Sequence, residues 1–219
     1  HKINFQYNKL DKFLNNTIKE KNNSYEVINE KEYIGTRDSR GNKQGFGIQK
    51  MKDGSVFRGI FTNDKVNGWG IYEHKDGDIY KGEYENDRTS GYGEYSHGNG
   101  AVYYGYWIDD MQFGIGYELW SDSSKYSGEY NNGKKDGIGT YLWSDQTMYR
   151  GEWKANNIQG FGIYNYVDGR QYSGEWKKNQ MHGYGEFIWV EEDKVHIAEY
   201  FDLLSIWLRD VLLYKATIA

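Results

Sequence analysis

Residues 149–171 read YRGEWKANNIQGFGIYNYVDGRQ, and this stretch decides the fold. Its frame is Tyr149-x-Gly151-x-Trp153, then Gly160-x-Gly162, then Asp168-Gly169. The frame restarts at Tyr172-x-Gly174-x-Trp176 and Gly183-x-Gly185, a step of 23 residues. The same interval taken towards the amino terminus meets Tyr126, Tyr103, Tyr80 and Phe57, and one step of 24 meets Tyr33. Seven copies at a near-constant period in this range signify a repeat architecture.

Within each copy the Tyr-x-Gly-x-aromatic run alternates rings with polar residues, such as Lys81 and Glu83 or Arg150 and Glu152. Period two with β-forming residues predicts a strand. A second strand is predicted from Gly-x-Gly to a turn. Asp53-Gly54, Asp76-Gly77, Asn99-Gly100 and Asp168-Gly169 read as type I′ hairpin turns, which need positive φ at both central residues. Asp122-Ser123 and Asp145-Gln146 keep the Asp and lose the Gly, so different or looser turns are expected there. The chain has no Pro, which leaves every backbone N–H free for a ladder.

Composition points the same way. Hydrophobic residues make up 37%, aromatics 18%, and there are 28 glycines. Few aliphatics with many rings and glycines suit a thin sheet whose rings lie over bare backbone. One ring column is Phe57, Tyr80, Tyr103, Tyr126, Tyr149, Tyr172; another is Phe61, Tyr84, Trp107, Tyr130, Trp153, Trp176. A third is Met51, His74, His97, Trp120, Trp143, Tyr166, Trp189. Phe46, Trp69, Tyr92, Ile115, Ile138, Phe161 and Tyr184 are expected on the opposite face.

The fold class expected is all-β: an elongated, single-layer antiparallel strip of about seven hairpins. At ~4.8 Å per strand it would extend on the order of 70 Å. Residues 1–24 are Asn- and Lys-rich and read as a tail with one short helical patch near Leu10, Phe13, Leu14 and Ile18. Residues 25–201 are the array, opened by a degenerate capping strand at 25–28. After Glu191-Glu192 breaks the pattern, residues 195–201 read as a last strand. Residues 202–219 follow as a C-terminal segment, with an amphipathic helix from Asp202 to about Ala216. Leu204, Trp207, Leu208 and Val211 on that helix are expected to bury against the final repeats or a partner, as a cap on an open sheet edge.

Several chemistries are disfavoured. The chain has no Cys, hence no disulfide or thiolate metal site, which fits a reducing compartment. A net charge of -5 argues against nucleic acid and against binding anionic lipid by bulk charge. No apolar run is long enough to span a bilayer. The chain starts at His1 rather than Met, which is compatible with a piece of a longer protein. The Gly-x-Gly pairs lack the third Gly of a dinucleotide loop. His74 and His97 in adjacent copies should lie ~10 Å apart, too far for one zinc ion at ~2 Å from each. Glu83, Glu129, Glu152 and Glu175 read as a solvated face, not as paired catalytic carboxylates. No enzyme and no cofactor are expected.

These residues resemble the MORN (membrane occupation and recognition nexus) repeat, close to YxGxWxxGxxxGxGxxxxxDG. The copies at Tyr126, with Gly128, Tyr130, Gly133, Gly137 and Gly139, and at Tyr149 match most fully. The first copy departs, with Arg37 in the Trp column and one extra residue before Gly45. The resemblance implies a cytoplasmic scaffold, associated with cytoskeletal, ciliary or membrane-linked assemblies. Family roles include clasping partner helices, dimerising as a homodimer, and binding phospholipid. The reading favoured is a non-catalytic adaptor that takes a helix or extended segment of a protein partner in an aromatic groove. Its anchors would be Tyr84, Trp107, Trp120, Tyr130, Trp143, Trp153, Tyr166, Trp176 and Trp189. A peripheral phospholipid tether is the alternative; the column Arg58, Lys81, Tyr104, Ser127, Arg150, Ser173 is only half basic.

Overall fold

The computed structural model describes residues 32–191, 194–201 and 216–217. The predicted tail, the capping strand at 25–28 and helix residues 202–215 lie outside them. The chain forms one antiparallel sheet in which every strand pairs with its neighbours in sequence. It opens with β1 (Tyr33–Arg37), β2 (Lys43–Lys50), β3 (Val56–Thr62), β4 (Lys65–Glu73), β5 (Ile79–Glu85) and β6 (Arg88–Ser96). Next come β7 (Val102–Ile108), β8 (Met111–Leu119), β9 (Lys125–Asn131), β10 (Lys134–Leu142), β11 (Met148–Lys154) and β12 (Asn157–Asn165). The sheet closes with β13 (Gln171–Lys177), β14 (Gln180–Glu191), β15 (Lys194–Phe201) and β16 (Ala216–Thr217). β15 is the last strand expected. Ala216, placed at the end of the predicted helix, pairs instead with Ile197 of β15.

The rings and the glycines form one device. Gly35 pairs with Gly47, Gly47 with Gly59, Gly59 with Gly70, and so on, one glycine per strand, to Gly185 of β14. Over each hairpin's glycine pair lies the ring of that hairpin's first Tyr or Phe. A Cβ on Gly151 would come within 2.5 Å of both Tyr149 Oη and Gly162 Cα. The seated rings of Phe57, Tyr80, Tyr103, Tyr126, Tyr149 and Tyr172 are 0–1% exposed. The phenols are satisfied locally. Tyr80, Tyr103, Tyr126, Tyr149 and Tyr172 each donate to the carbonyl three residues on, at 3.0–3.2 Å.

Each second-column ring stands edge-on between two seated rings. Trp153 meets Tyr126 and Tyr149 at centroid distances of 5.4 Å, and Trp176 meets Tyr149 and Tyr172 at 5.5 and 5.3 Å. The chain of edge-to-face contacts runs unbroken from Tyr33 to Trp176. Each contact adds about 0.5–1.5 kcal/mol beyond area burial. The core is therefore a bed of rings on one face, here the front. In the first copy Arg37, which replaces the second ring, lies 4.8 Å over the Tyr33 ring as a cation–π contact.

The turns differ from the sequence expectation. At the Asp-Gly loops only the Gly has positive φ: Gly54, Gly77, Gly100 and Gly169 at 87–97°. Gly54 N–H donates to the Met51 carbonyl and Met51 N–H to the Ser55 carbonyl, a type I turn closed by one left-handed residue rather than type I′. Ser123 and Gln146 adopt the same left-handed φ, 72° and 73°, with the same two hydrogen bonds, so these loops are neither different nor looser. The Asp is kept because its carboxylate accepts the N–H two residues on, as Asp122 does from Ser124 at 2.8 Å and Asp145 from Thr147 at 2.9 Å. The type I′ turns sit at the other edge of the sheet, inside each repeat: Asn63-Asp64, Asn86-Asp87, Asp109-Asp110, Asn132-Gly133, Ala155-Asn156 and Lys178-Asn179 all have positive φ.

Those turns also link successive repeats. Asp87 N–H donates to the Val66 carbonyl at 2.9 Å while its Oδ1 accepts the Val66 N–H at 2.7 Å. Asp64, Asp110, Asn156 and Asn179 make the same reciprocal pair with Lys43, Thr89, Lys135 and Ile158.

Two outcomes follow from the ring seat. Gly151→Ala should lower stability by the upper end of the roughly 1–3 kcal/mol of an overpacked core, because the obstruction includes backbone. Gly169→Ala, with φ of 87° and open space around it, should cost about 1 kcal/mol. Urea midpoints of the two variants distinguish these. Burial, first, also pushes the phenols of Tyr103, Tyr126 and Tyr149 well up from their ordinary value. Their folded state holds protons that the unfolded chain releases near pH ~10. The associated stability is full below that pH and is lost as pH rises through it. The melting temperature should be flat from neutral pH to about 9 and fall above about 10.

Candidate functional site

The front face carries an open groove of about 560 Å³ across the repeats that start at Tyr126, Tyr149 and Tyr172. Its floor is Trp153, Ile158, Trp176 and Met181. At the edge bearing the Asp loops stand Tyr141, Trp143, Tyr164 and Tyr166; towards the type I′ turns lie Lys135, Asn156 and Asn179. Alternation puts the strand residues among these on one side, Trp143, Tyr166, Asn156 and Asn179 stand in the turns that flank the strands, and the 23-residue period lines them up.

The nine anchor positions read from the sequence divide into two sets. Tyr84, Trp107, Tyr130, Trp153 and Trp176 are only 3–8% exposed, held between seated rings. Trp153 and Trp176 also donate Nε1–H to the Gly139 and Gly162 carbonyls at 3.3 Å. These rings offer an edge to the groove and belong to the core. Trp120, Trp143, Tyr166 and Trp189 are half-buried. Trp143 packs 4.6 Å from Tyr141 and 5.4 Å from Tyr164, while Trp189 stacks on His196 at 5.3 Å. Trp143 and Tyr166 line the groove; Trp120 and Trp189 lie on the same face to either side of it. Leu204, Trp207, Leu208 and Val211 fall outside the described residues.

Two lining features went unread in the sequence. The column Val66, Thr89, Gln112, Lys135, Ile158, Met181 supplies floor residues, and Lys135 is a charge where its later equivalents are aliphatic. Its Nζ sits 4.7 Å from the Trp120 ring centroid, 5.1 Å from Tyr126 and 5.8 Å from Tyr141. Glu118 lies 3.7 Å away and stands in a column that has Gln49 in the first copy and rings at Tyr72, Tyr95, Tyr141, Tyr164 and Phe187. Tyr130 donates its O–H to Glu118 at 2.8 Å. Burial draws the Lys135 ammonium below its usual range, with Glu118 opposing; burial and then Glu118 push the Tyr130 phenol up. The signal available was the paired departure of positions 118 and 135 from their columns.

The remaining polar candidates are engaged in the fold. His97 Nδ1 lies 3.2 Å from Asp78, which also accepts from the Tyr95 O–H at 2.7 Å. The His74 ring packs 4.5 Å from Tyr72. Glu129 and Glu152 accept the N–H of Ile138 and Phe161 at 3.0 and 2.9 Å, beside the left-handed Gly137 and Gly160. Arg58 and Lys81 pair with Glu73 and Glu94. Among the described residues, no three His, Cys, Asp or Glu side chains converge to hold a metal ion.

Lys135 and Glu118 should behave as one unit. Lys135→Ile alone leaves Glu118 among rings and should cost about 1–3 kcal/mol, whereas adding Glu118→Tyr restores both columns and should recover most of it. A double-mutant cycle on urea unfolding reads this coupling; additive costs would contradict it.

Comparison with known proteins agrees with the repeat frame. The MORN repeat family model matches residues 80–102, 103–125, 126–148, 149–169 and 172–194. Among curated proteins none matches. Of the solved structures, 37 chains match. One is the TCP domain of Drosophila melanogaster SAS-4 (dCPAP), in complex with a proline-rich motif of Ana2 (dSTIL). It is 12% identical, with 75% of this chain and 88% of that chain covered and a TM-score of 0.43. Another is a single-residue variant of the TCP10 domain of Danio rerio CPAP, 12% identical, with 74% and 86% covered and a TM-score of 0.25. The five family matches cover more than half of the sequence, and they coincide with hairpins whose glycine pairs seat an aromatic ring. On both grounds the chain belongs to the MORN repeat family.

Proposed function

We propose that the chain is a non-catalytic scaffold that holds a helix or short extended segment of a partner protein in the front-face groove. The observation that carries this reading is the ring-lined groove itself, open across three repeats, on a sheet with no covering layer among the described residues. Rings fixed in edge-to-face contacts lose little freedom when a partner docks, so their contact area converts efficiently into affinity. Lys135, Asn156 and Asn179 give one side a polar rim that sets the orientation of a docked segment. A non-catalytic role is supported by the engagement of Glu129, Glu152 and His97 within the fold. The chain's own residues 202–219, with Leu204, Trp207, Leu208 and Val211, are the competing occupant.

Trp143 and Tyr166 are the positions to test, since removing the buried Trp153 would report on folding. Trp143→Ala with Tyr166→Ala should weaken capture by about 2–4 kcal/mol, the range of hot-spot rings, with a lowered but still cooperative melt that shows the sheet intact. Cross-linking mass spectrometry of the native assembly names the partner, and titration with that partner reads the affinity. Unchanged affinity in the double variant would place docking elsewhere. A gain in wild-type affinity on deleting residues 202–219 would identify that segment as the resident occupant.

A further inference from the structure

The back face is polar along most of the sheet and changes character at one hairpin. β7 presents Tyr104, Tyr106 and Ile108 there, and β8 presents Met111, Phe113, Ile115 and Tyr117, each 36–63% exposed. These are seven of the fourteen large apolar side chains exposed among the described residues. The preceding hairpin has Lys81, Glu83, Glu85, Arg88, Ser90, Tyr92 and Glu94 at the equivalent places. The following one has Ser127, Glu129, Asn131, Lys134, Asp136, Ile138 and Thr140. The hairpins β3–β4 and β11–β12 carry three and two rings or aliphatics at these seven places, and β7–β8 carries one at all seven.

We propose that the back face of β7–β8 is the contact surface for a second copy of this chain, two sheets packed back to back. Area is the first argument. Seven large side chains about half exposed, at roughly 200 Å² each, offer on the order of 700 Å². A standard interface takes about 800 Å² per partner. The flanking Tyr92 and Ile138 close the difference, and two identical patches together reach the size of a stable dimer interface. Shape is the second argument. The Tyr92–Tyr106 and Tyr104–Tyr117 ring pairs, at 5.6 and 6.3 Å, cross from strand to strand on the exposed face of the sheet. Faces of this kind pack on another sheet about 10 Å away. Position is the third. β7 and β8 lie near the middle of the sheet, between β1–β6 and β9–β16, so a two-fold axis through them lets the two strips overlap on both sides. The ring-lined grooves then face outwards on opposite sides of the pair, and a dimer presents two binding surfaces.

The test uses the full chain. Sedimentation up to ~100 µM, where even weak self-association is populated, should show twice the chain mass. Tyr104→Ser with Tyr106→Glu installs residue types that the same columns carry at Ser127 and Glu129, and should return the mass to one chain without changing the melt. The chain contains no Cys, so Tyr106→Cys gives an independent measurement. Oxidation should yield a covalent dimer, and Glu175→Cys, in the same column far from the axis, should not. A monomer at every concentration overturns the proposal, as does a dimer that survives the double variant with no Tyr106→Cys product. A monomeric chain whose double variant loses a different protein also overturns it, in favour of a heterologous partner. Groove binding by Trp143 and Tyr166 is read separately from all of these outcomes.

Discussion

The structure depends on an aromatic ring lying flat on two facing glycines. A sheet of one layer has no second layer to bury its backbone, and here the rings take that place. Each seat removes two Cβ atoms, admits the ring to within contact of the peptide planes, and orients the ring so that its edges meet the next column. Everything else on the front face is positioned by that geometry. The Trp and Tyr of the second column fit only because seated rings flank them, and the groove exists only because the second column forms its floor. The pH response has the same origin, since phenols held this way are costly to ionise.

The two faces of the sheet have different tasks because of the same device. Glycine on the front cannot carry information, so variation between repeats is confined to the outer columns and to the back. On the front, variation takes the form of larger rings towards the carboxyl end and of the Lys135–Glu118 exchange. On the back, it takes the form of one hairpin stripped of its charges. Glu129 and Glu152 show that the carboxylates replaced by Tyr106 have a structural use in other repeats, as acceptors for an N–H freed beside a left-handed glycine. The substitution at Tyr106 therefore gives up a favourable contact as well as a charge.

Periodicity alone disclosed the hairpins, the ring columns and the glycine seats, because each follows from spacing and from the two-residue alternation of a strand. The turn geometry was not legible in this way. Asp-Gly is compatible with a two-residue or a longer loop, and only the backbone shows that Asp122 and Asp145 keep their role through a side-chain acceptor when Gly is gone. Ala155 and Lys178 adopt left-handed φ in tight turns where neither residue type signals it. Among the anchors, alternation gave the face of Trp107, Trp153 and Trp176 but not their depth, which is fixed by rings 23 residues away. Lys135 and Glu118 were hidden for a related reason: each is ordinary by itself, and their significance lies in a contact between adjacent copies.

The strictly sequential strand order also has a mechanical meaning. Each strand is bonded only to its neighbours in the chain, so a pull on the two ends loads the hydrogen bonds one ladder at a time and opens them like a zip. At about 3.5 Å per extended residue, each released repeat of 23 residues reaches roughly 80 Å where it spanned about 10 Å in the sheet, a gain of roughly 70 Å. A tether of this construction would yield in equal steps from its ends, and could lengthen several-fold before its middle hairpins part.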